Sequence, residues 1–357
     1  MQKQLLLGVE AIAQGAIDSG ISGVYAYPGT PSTEITEYIQ NSQQAIQRNI
    51  HREWSANEKT AMEAALGMSY AGKRALVCMK HVGMNVAADC FMNAAITGAN
   101  GGIVITAADD PSMHSSQNEQ DSRVYGKFAL IPILEPSNQQ EAYEMVRYAF
   151  ALSETVGSPV LLRITTRLAH SRAGVNIHEA LAENNLRLPD NKRQFVLLPA
   201  IARKQYRLLL NKQADFKEAS ENSPFNHFSE GPDKSLGIIA CGISYNYVME
   251  NFEGQCPYPL LKICQYPLPR KLIKQILAEC ERILVVEEGY PLIEELLKGY
   301  PGDKRISGRL DNTLPRDGEL NPDLLAKALG LQIKEGAAVP EIVVPRPPAL
   351  CVGCSHR

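Results

Sequence analysis

Four short stretches of the sequence hold side chains able to do chemistry. The first is Ser55-Ala-Asn-Glu58, which opens an Ala-rich run ending at Gly67. A Ser three positions before a Glu is the pattern of a capping box, in which each side chain satisfies a free amide at a helix start. The same helix, followed by a buried strand over residues 75–79 and the turn Lys80-His-Val-Gly83, would also bring the Glu58 carboxylate against something flat. On the residues alone both readings stand. The second stretch is Pro28-Gly-Thr-Pro31, a tight turn after an apolar strand at residues 23–27. Strand, Gly/Pro turn and helix present backbone amides and a hydroxyl at a strand's carboxyl end, where open α/β sheets bind ligands. A plain strand-to-helix connection has the same composition.

The third stretch, Asp109-Asp-Pro-Ser-Met-His-Ser-Ser-Gln-Asn-Glu-Gln-Asp-Ser-Arg123, has no apolar period. Ordered polar loops of this length are uncommon inside a domain and are usually functional or mobile. Its carboxylates and His114 raise a metal site, but no ligand spacing stands out. The fourth is Cys351-Val-Gly-Cys354-Ser-His-Arg357. A closed zinc site needs four ligands, and no partner pair exists. A redox dithiol wants a helix N-terminus after it, and the bacterial cluster-binding spacing is missing. Each reading needs residues beyond Arg357, so the expectation is a chain that stops where a further domain would begin. Gly302-Asp303 with Asn312 invites a metal-diphosphate motif, but Lys304 stands where a further glycine belongs, and the motif is rejected.

Composition narrows the function classes. A length of 357 residues makes two domains the default. A net charge of -3 gives no electrostatic case for nucleic acid or an anionic membrane. No apolar run approaches the 20 or so residues that span a bilayer, and the N-terminus lacks a signal-peptide core. Eight scattered cysteines fit a reducing cytoplasm rather than a disulfide framework.

The elements that must position these side chains follow from periodicity. Apolar spacing predicts a helix over residues 4–19, closed by Gly20. Thr30 is expected to cap the next helix, with Pro31 at its first position. Strands are expected at residues 45–50, 75–79, 101–107 and 160–164, with a helix over 140–152. A polar connector over residues 173–234, helical around 200–210, lies between these and a second series. That series has strands at residues 236–241, 260–263 and 282–288 and helices at 244–252, 272–280 and 292–298. The fold class is therefore α/β, with two doubly wound, mostly parallel sheet domains over residues 1–172 and 235–332. A Pro-rich linker and the start of a missing domain occupy residues 333–357.

Taken together, Tyr27-Pro-Gly-Thr-Pro-Ser-Thr-Glu-Ile35, Asn57-Glu-Lys59, Gly72-Lys-Arg-Ala-Leu76, Met79-Lys-His-Val-Gly-Met-Asn85, the Asp109–Arg123 run and Arg346-Pro-Pro-Ala-Leu-Cys-Val-Gly-Cys-Ser-His-Arg357 resemble a known family. They are similar to the alpha subunits of indolepyruvate:ferredoxin oxidoreductases, a branch of the thiamine-diphosphate-dependent 2-oxoacid:ferredoxin oxidoreductases. The likeness runs from about residue 4 to 357 and is densest between 25 and 125. It implies that the first domain binds the cofactor's pyrimidine end and that the second resembles a transketolase C-terminal domain. The diphosphate and its Mg²⁺ would bind outside this chain, two [4Fe-4S] clusters would sit in an absent tail, and no metal would bind within the chain.

The resemblance places the catalytic glutamate on Glu58, which would share a proton with the pyrimidine N1′. It places Thr30 beside substrate and cofactor, and puts Pro28, Gly29, His81, Gly83 and Asn85 around the cofactor. His81 has packing or a backbone hydrogen bond as its competing role. Gln117 and Arg123 are candidates for the substrate carboxylate, which an Arg can hold bidentately, with loop structure or subunit contact as the alternative. The family's Gly-Asn-Glu-Ala reads Gly8-Val-Glu-Ala11 here, losing an amide that could have bonded the Pro28–Ser32 loop. Its Cys-Pro-Gly-Cys reads Cys351-Val-Gly-Cys354. The implied function is oxidative decarboxylation of arylpyruvates, indolepyruvate foremost, to aryl-acetyl-CoA. The implied partners are a beta subunit, ferredoxin and CoA, in a cytoplasmic oligomer. The alternatives are a non-catalytic assembly module, or a subunit of an oxidoreductase or decarboxylase for another 2-oxoacid.

Overall fold

The computed structural model describes residues 2–298, 304–315, 318–333, 336 and 339–344. Gly302, Asp303 and the closing Cys351–Arg357 run therefore lie outside the described residues. The first half comprises β1 (Gln2–Leu7), α1 (Gly8–Asp18), β2 (Gly23–Ala26), α2 (Thr33–Asn41), α3 (Gln43–Gln47), α4 (Glu58–Tyr70) and β3 (Ala75–Lys80). It continues with α5 (His81–Thr97), β4 (Ile103–Asp109), α6 (Ser122–Ala129), β5 (Ile133–Leu134), α7 (Gln139–Val156), β6 (Val160–Thr165) and α8 (Thr166–His170). Then come β7 (Arg172–Ile177), α9 (Pro199–Glu221), β8 (His227–Ser229), β9 (Gly237–Cys241), α10 (Ser244–Asn251), β10 (Leu260–Ile263) and β11 (Gln265–Tyr266). The last elements are α11 (Arg270–Glu279), β12 (Arg282–Val286), α12 (Leu292–Lys298), β13 (Arg305–Ser307) and α13 (Pro322–Leu329).

The first sheet has the order β11-β5-β6-β4-β3-β2, and every pair except β11–β5 is parallel. Successive strand residues point to opposite faces. In β3, Leu76 and Cys78 pack into the core shared with α1 and α7, while Val77 and Met79 pack with α4 and α5. Both faces are covered, which is why these strands read as unbroken apolar runs. The second sheet, β13-β12-β9-β10-β8, is parallel except for β8. Here α10 and α13 share one core cluster, and α11 and α12 the other. The fold is α/β with two mostly parallel sheets, as the apolar runs imply.

Several local expectations are corrected. Residues 2–7 are not helical: they form an antiparallel ladder with β7, and α1 begins only at Gly8. Leu5 is accordingly 69% exposed. Residues 45–50 are not a strand, since Ser42 caps the one-turn α3, and residues 51–54 instead run beside β2. The connector is not wholly peripheral. It supplies β7 to the N-terminal ladder, the 23-residue α9 and the edge strand β8. The second domain in turn lends β11 to the first sheet, so the two units share a sheet edge.

The candidate active site

Side chains at the carboxyl ends of β2, β3, β4 and β6 converge on one rim of the first sheet. Residues 51–54 extend that rim, because the Ser55 amide donates to the Ala26 carbonyl at 2.8 Å. This pairing holds Ser55 too early to cap α4. Asn57 is the cap instead, its Oδ1 accepting the Thr60 amide at 2.9 Å. The Ser55–Glu58 capping box does not form, and Glu58 is left as the first residue of the helix.

Glu58 lies across the first turn of α5. A methyl group on Gly83 would meet the Glu58 Cγ and Oε1 at 2.7 Å, so only glycine lets the carboxylate lie there. The side chain is half-buried and makes no hydrogen bond or ion pair among the described residues. It faces the positive end of a 17-residue helix that has no side-chain cap. His81, in the same turn, is 1% exposed. Its Nε2 lies 3.1 Å from the Asn118 carbonyl, and its Nδ1 is buried without a partner.

The Pro28–Pro31 turn abuts the other end of this segment. A Cβ on Gly29 would stand 3.1 Å from the Lys80 Cβ. Ser32 Oγ donates to the Gly29 carbonyl at 2.7 Å, and Thr33 Oγ1 accepts the Gly29 amide at 2.8 Å. Thr30 neither caps α2 nor is buried: α2 starts at Thr33, and Pro28 and Thr30 are exposed. The Thr30–Pro31 peptide is cis. Lys80-His81-Val82-Gly83 thus has the Pro28–Pro31 turn at one end and the Glu58 carboxylate at the other.

The polar run after β4 is ordered by a clamp that sequence reasoning missed. Lys80 Nζ donates to the Ser115 carbonyl at 2.8 Å and lies 4.0 Å from Asp110. Asp110 is fully buried and accepts from the Ser115 amide, the Ser116 hydroxyl and the Thr166 hydroxyl at 2.9, 2.5 and 2.8 Å. Burial opposes the Asp110 charge, but these donors and Lys80 hold its pKa below the usual carboxylate value. Burial also lowers the Lys80 pKa, against the pull of Asp110. A lysine ending the apolar run Ala75-Leu-Val-Cys-Met was the one signal in the sequence. Asp110→Asn is expected to speed amide hydrogen exchange at Ser115 and Ser116 by at least about tenfold, since each charge-assisted bond contributes ~1.5–3 kcal/mol. Unchanged exchange would mean that the loop is held by other contacts.

Two further candidates separate from this rim. Gln117 is exposed on the loop. Arg123 is wholly buried, its guanidinium bonded to Asp121, Glu287, the Tyr266 hydroxyl and the carbonyls of Glu288 and Tyr290. Its donors are occupied at the domain junction, so it has none to offer a substrate carboxylate. Asn85 is exposed and accepts from the Tyr125 hydroxyl. His114 bonds to Glu319 at 3.1 Å, and no metal-ligating group of three or more side chains occurs among the described residues.

A carboxylate without a partner, pressed on a glycine beside an uncapped helix start, is suited to hold a proton against a flat nitrogen heterocycle. The fold is that of a thiamine-diphosphate-binding unit, and the chain belongs to that family. Residues 14–214 match the family described as pyruvate flavodoxin/ferredoxin oxidoreductase, thiamine diphosphate-binding. Among curated relatives, indolepyruvate oxidoreductase subunit IorA of Pyrococcus abyssi is 43% identical over 100% of this chain and 58% of its own length. IorA of Methanothermobacter thermautotrophicus is 42% identical over 99% of this chain and 59% of its own length. The chain therefore spans about three fifths of the relatives it matches. In fold, it is similar to the 2-oxoglutarate:ferredoxin oxidoreductase of Magnetococcus marinus, with a TM-score of 0.72 and 14% identity over 92% of this chain and 65% of that one. A split-gene transketolase aligns at a TM-score of 0.55 and 13% identity, over 91% of this chain and 97% of that one.

Proposed function

We propose that the chain is the pyrimidine-binding part of an enzyme that oxidatively decarboxylates arylpyruvates, indolepyruvate foremost, to aryl-acetyl-CoA with ferredoxin as electron acceptor. The contact of Glu58 with Gly83 carries this reading, and the names of the relatives supply the substrate class. Glu58 would hold a proton against the pyrimidine, with Gly83 giving it access. His81, Gly29, Pro28 and Thr30 would border the ring, with Asn85 near them. The cofactor, when bound, supplies the electron sink that decarboxylation of a 2-oxoacid requires. The Lys80–Asp110 clamp holds residues 115–118 against the rim, where they limit water access. Gln117 is the remaining side chain of the loop proposed for the substrate carboxylate.

In this reading the diphosphate, Mg²⁺ and [4Fe-4S] clusters bind to parts of the enzyme outside this chain. A beta subunit, CoA and ferredoxin complete the reaction in the cytoplasm. No helix among the described residues is long and apolar enough to cross a membrane.

Trp54 lies four residues before Glu58, half-buried against the core, and reports on this rim. Thiamine diphosphate with Mg²⁺ is titrated into the chain joined to its remaining domains, following calorimetry and tryptophan fluorescence. Glu58→Gln is expected to cut turnover about 10²–10⁴-fold, the usual weight of a positioned proton carrier. Gly83→Ala should cause a comparable loss with little change in melting temperature, because the flexible carboxylate swings away. Turnover by Glu58→Gln at the unsubstituted rate would sink the assignment.

A further inference from the structure

A cavity of about 440 Å³ opens where α6, α9, α11 and α12 meet, within the range of small-molecule sites. Its walls are apolar, with Leu130 and Ile133 from the first domain facing Ile273 and Leu296 from the second. The polar groups inside are occupied. Gln213 donates to the Leu130 and Leu209 carbonyls at 2.9 and 3.1 Å, and the Tyr266 hydroxyl donates to Glu135 at 2.9 Å. The charge around it is one-sided. Lys127, Lys217, Arg270 and Lys274 line it, and no Asp or Glu does. All four are exposed, and among the described residues none makes an ion pair or side-chain hydrogen bond. In a chain of net charge -3 this is a local reversal of sign. Cations collected around a low-dielectric cavity raise the local concentration of anions.

We propose that this groove binds an amphipathic carboxylate, an acyl or aryl body between the apolar walls with its head among the four cations. The site is separate from the Glu58 rim and does not depend on the reading of that rim. Because α6, α11, α12 and the connector helix α9 all line it, an occupant holds the two domains and the connector together. Binding to the folded form alone then raises the melting temperature with concentration.

The probe is octanoate, titrated into the chain by calorimetry and by thermal unfolding, with octanol as its neutral counterpart. Saturable octanoate binding is expected, with octanol at least about tenfold weaker. The pair Lys127→Glu and Lys274→Glu should weaken octanoate about tenfold or more, whereas Lys271→Glu, outside the groove, should not. Leu296→Trp, which fills the cavity, should abolish binding while circular dichroism stays unchanged. No saturable binding up to about 10 mM overturns the proposal and leaves the groove to an acidic protein partner. Equal affinity of octanoate for the charge-reversed chain overturns it as well.

Discussion

Arg163→Met is expected to destabilise the folded chain by about 3–5 kcal/mol, a large part of the ~5–15 kcal/mol that holds a typical domain together. Arg163 interrupts the apolar run of β6 between Leu162 and Ile164 and is fully buried at the junction of the two domains. Its Nε donates to Asp109 at 2.6 Å, its Nη1 to Glu135, and its Nη2 to the Glu288 carbonyl at 3.0 Å. Asp121 lies 3.6 Å from the same guanidinium. Removing it leaves three buried carboxylates short of positive charge: Arg123 still reaches Asp121 and Glu135, while Asp109 loses its ion-pair partner among the described residues. The backbone is built around the pair. Gly289 has φ +83°, and a Cβ there would stand 2.8 Å from Asp121 Oδ2 and 2.9 Å from Arg163 Nη2.

Urea unfolding gives the comparison, with the exposed Lys59–Asp89 pair as a control that should change stability by less than about 1 kcal/mol. Adding Glu135→Gln to Arg163→Met should recover part of the loss, because it removes one of the uncompensated charges. A stability of Arg163→Met within about 1 kcal/mol of the unsubstituted chain would show that the junction tolerates the unpaired acids.

The same junction sets the pH dependence. Among the described residues it holds the guanidiniums of Arg123, Arg163 and Arg309 and the carboxyls of Asp109, Asp121, Glu135, Glu287 and Glu288. Carboxyls outnumber guanidiniums, and burial pushes both Glu287 and Glu288 up to about 7, against the pull of Arg123 on the first and Arg309 on the second. Asp121 goes the other way. Burial would raise it, but Arg123 and Arg163 bring it down to about 2.

For Glu287 and Glu288 the folded chain keeps protons that the unfolded chain releases above about 4.5. Their contribution to stability is whole below that pH and is lost as pH rises towards 7. Each group contributes on the order of 3 kcal/mol over this window. Asp121 contributes above its ordinary 3.8, and that part is lost as pH falls towards 2. Stability should therefore fall from about pH 5 to pH 7 and flatten beyond. Glu288→Gln should remove part of the slope, since a neutral side chain has no proton to lose. A stability that rises over the same window would contradict the assignment.

Much of this site is local and could be seen in the chain. The apolar runs of β2, β3, β4 and β6 must be buried on both faces, so a covered parallel sheet follows from side-chain type. A Gly/Pro turn after one such run and a glutamate at a helix start before another then fall on the same rim, because parallel strands share their carboxyl ends. Gly83 was visible as a glycine, though its contact with Glu58 was not.

What residue order left open depends on partners distant in sequence. Residues 4–7 open the stretch of helical spacing over residues 4–19, yet pairing with residues 172–175 makes them part of a strand. Ser55 has the cap pattern, yet the Ala26 carbonyl holds its amide and Asn57 caps the helix. Arg123 stands at the end of a polar loop and looks free to take a carboxylate. Glu287 and Tyr266, more than 140 positions away, occupy its guanidinium instead. The basic groove is formed by helices spread from residue 122 to residue 298. Periodicity and local chemistry reach a few residues along the chain. Which charges are buried together, and which cations remain unpaired around a cavity, is settled only when the two domains pack.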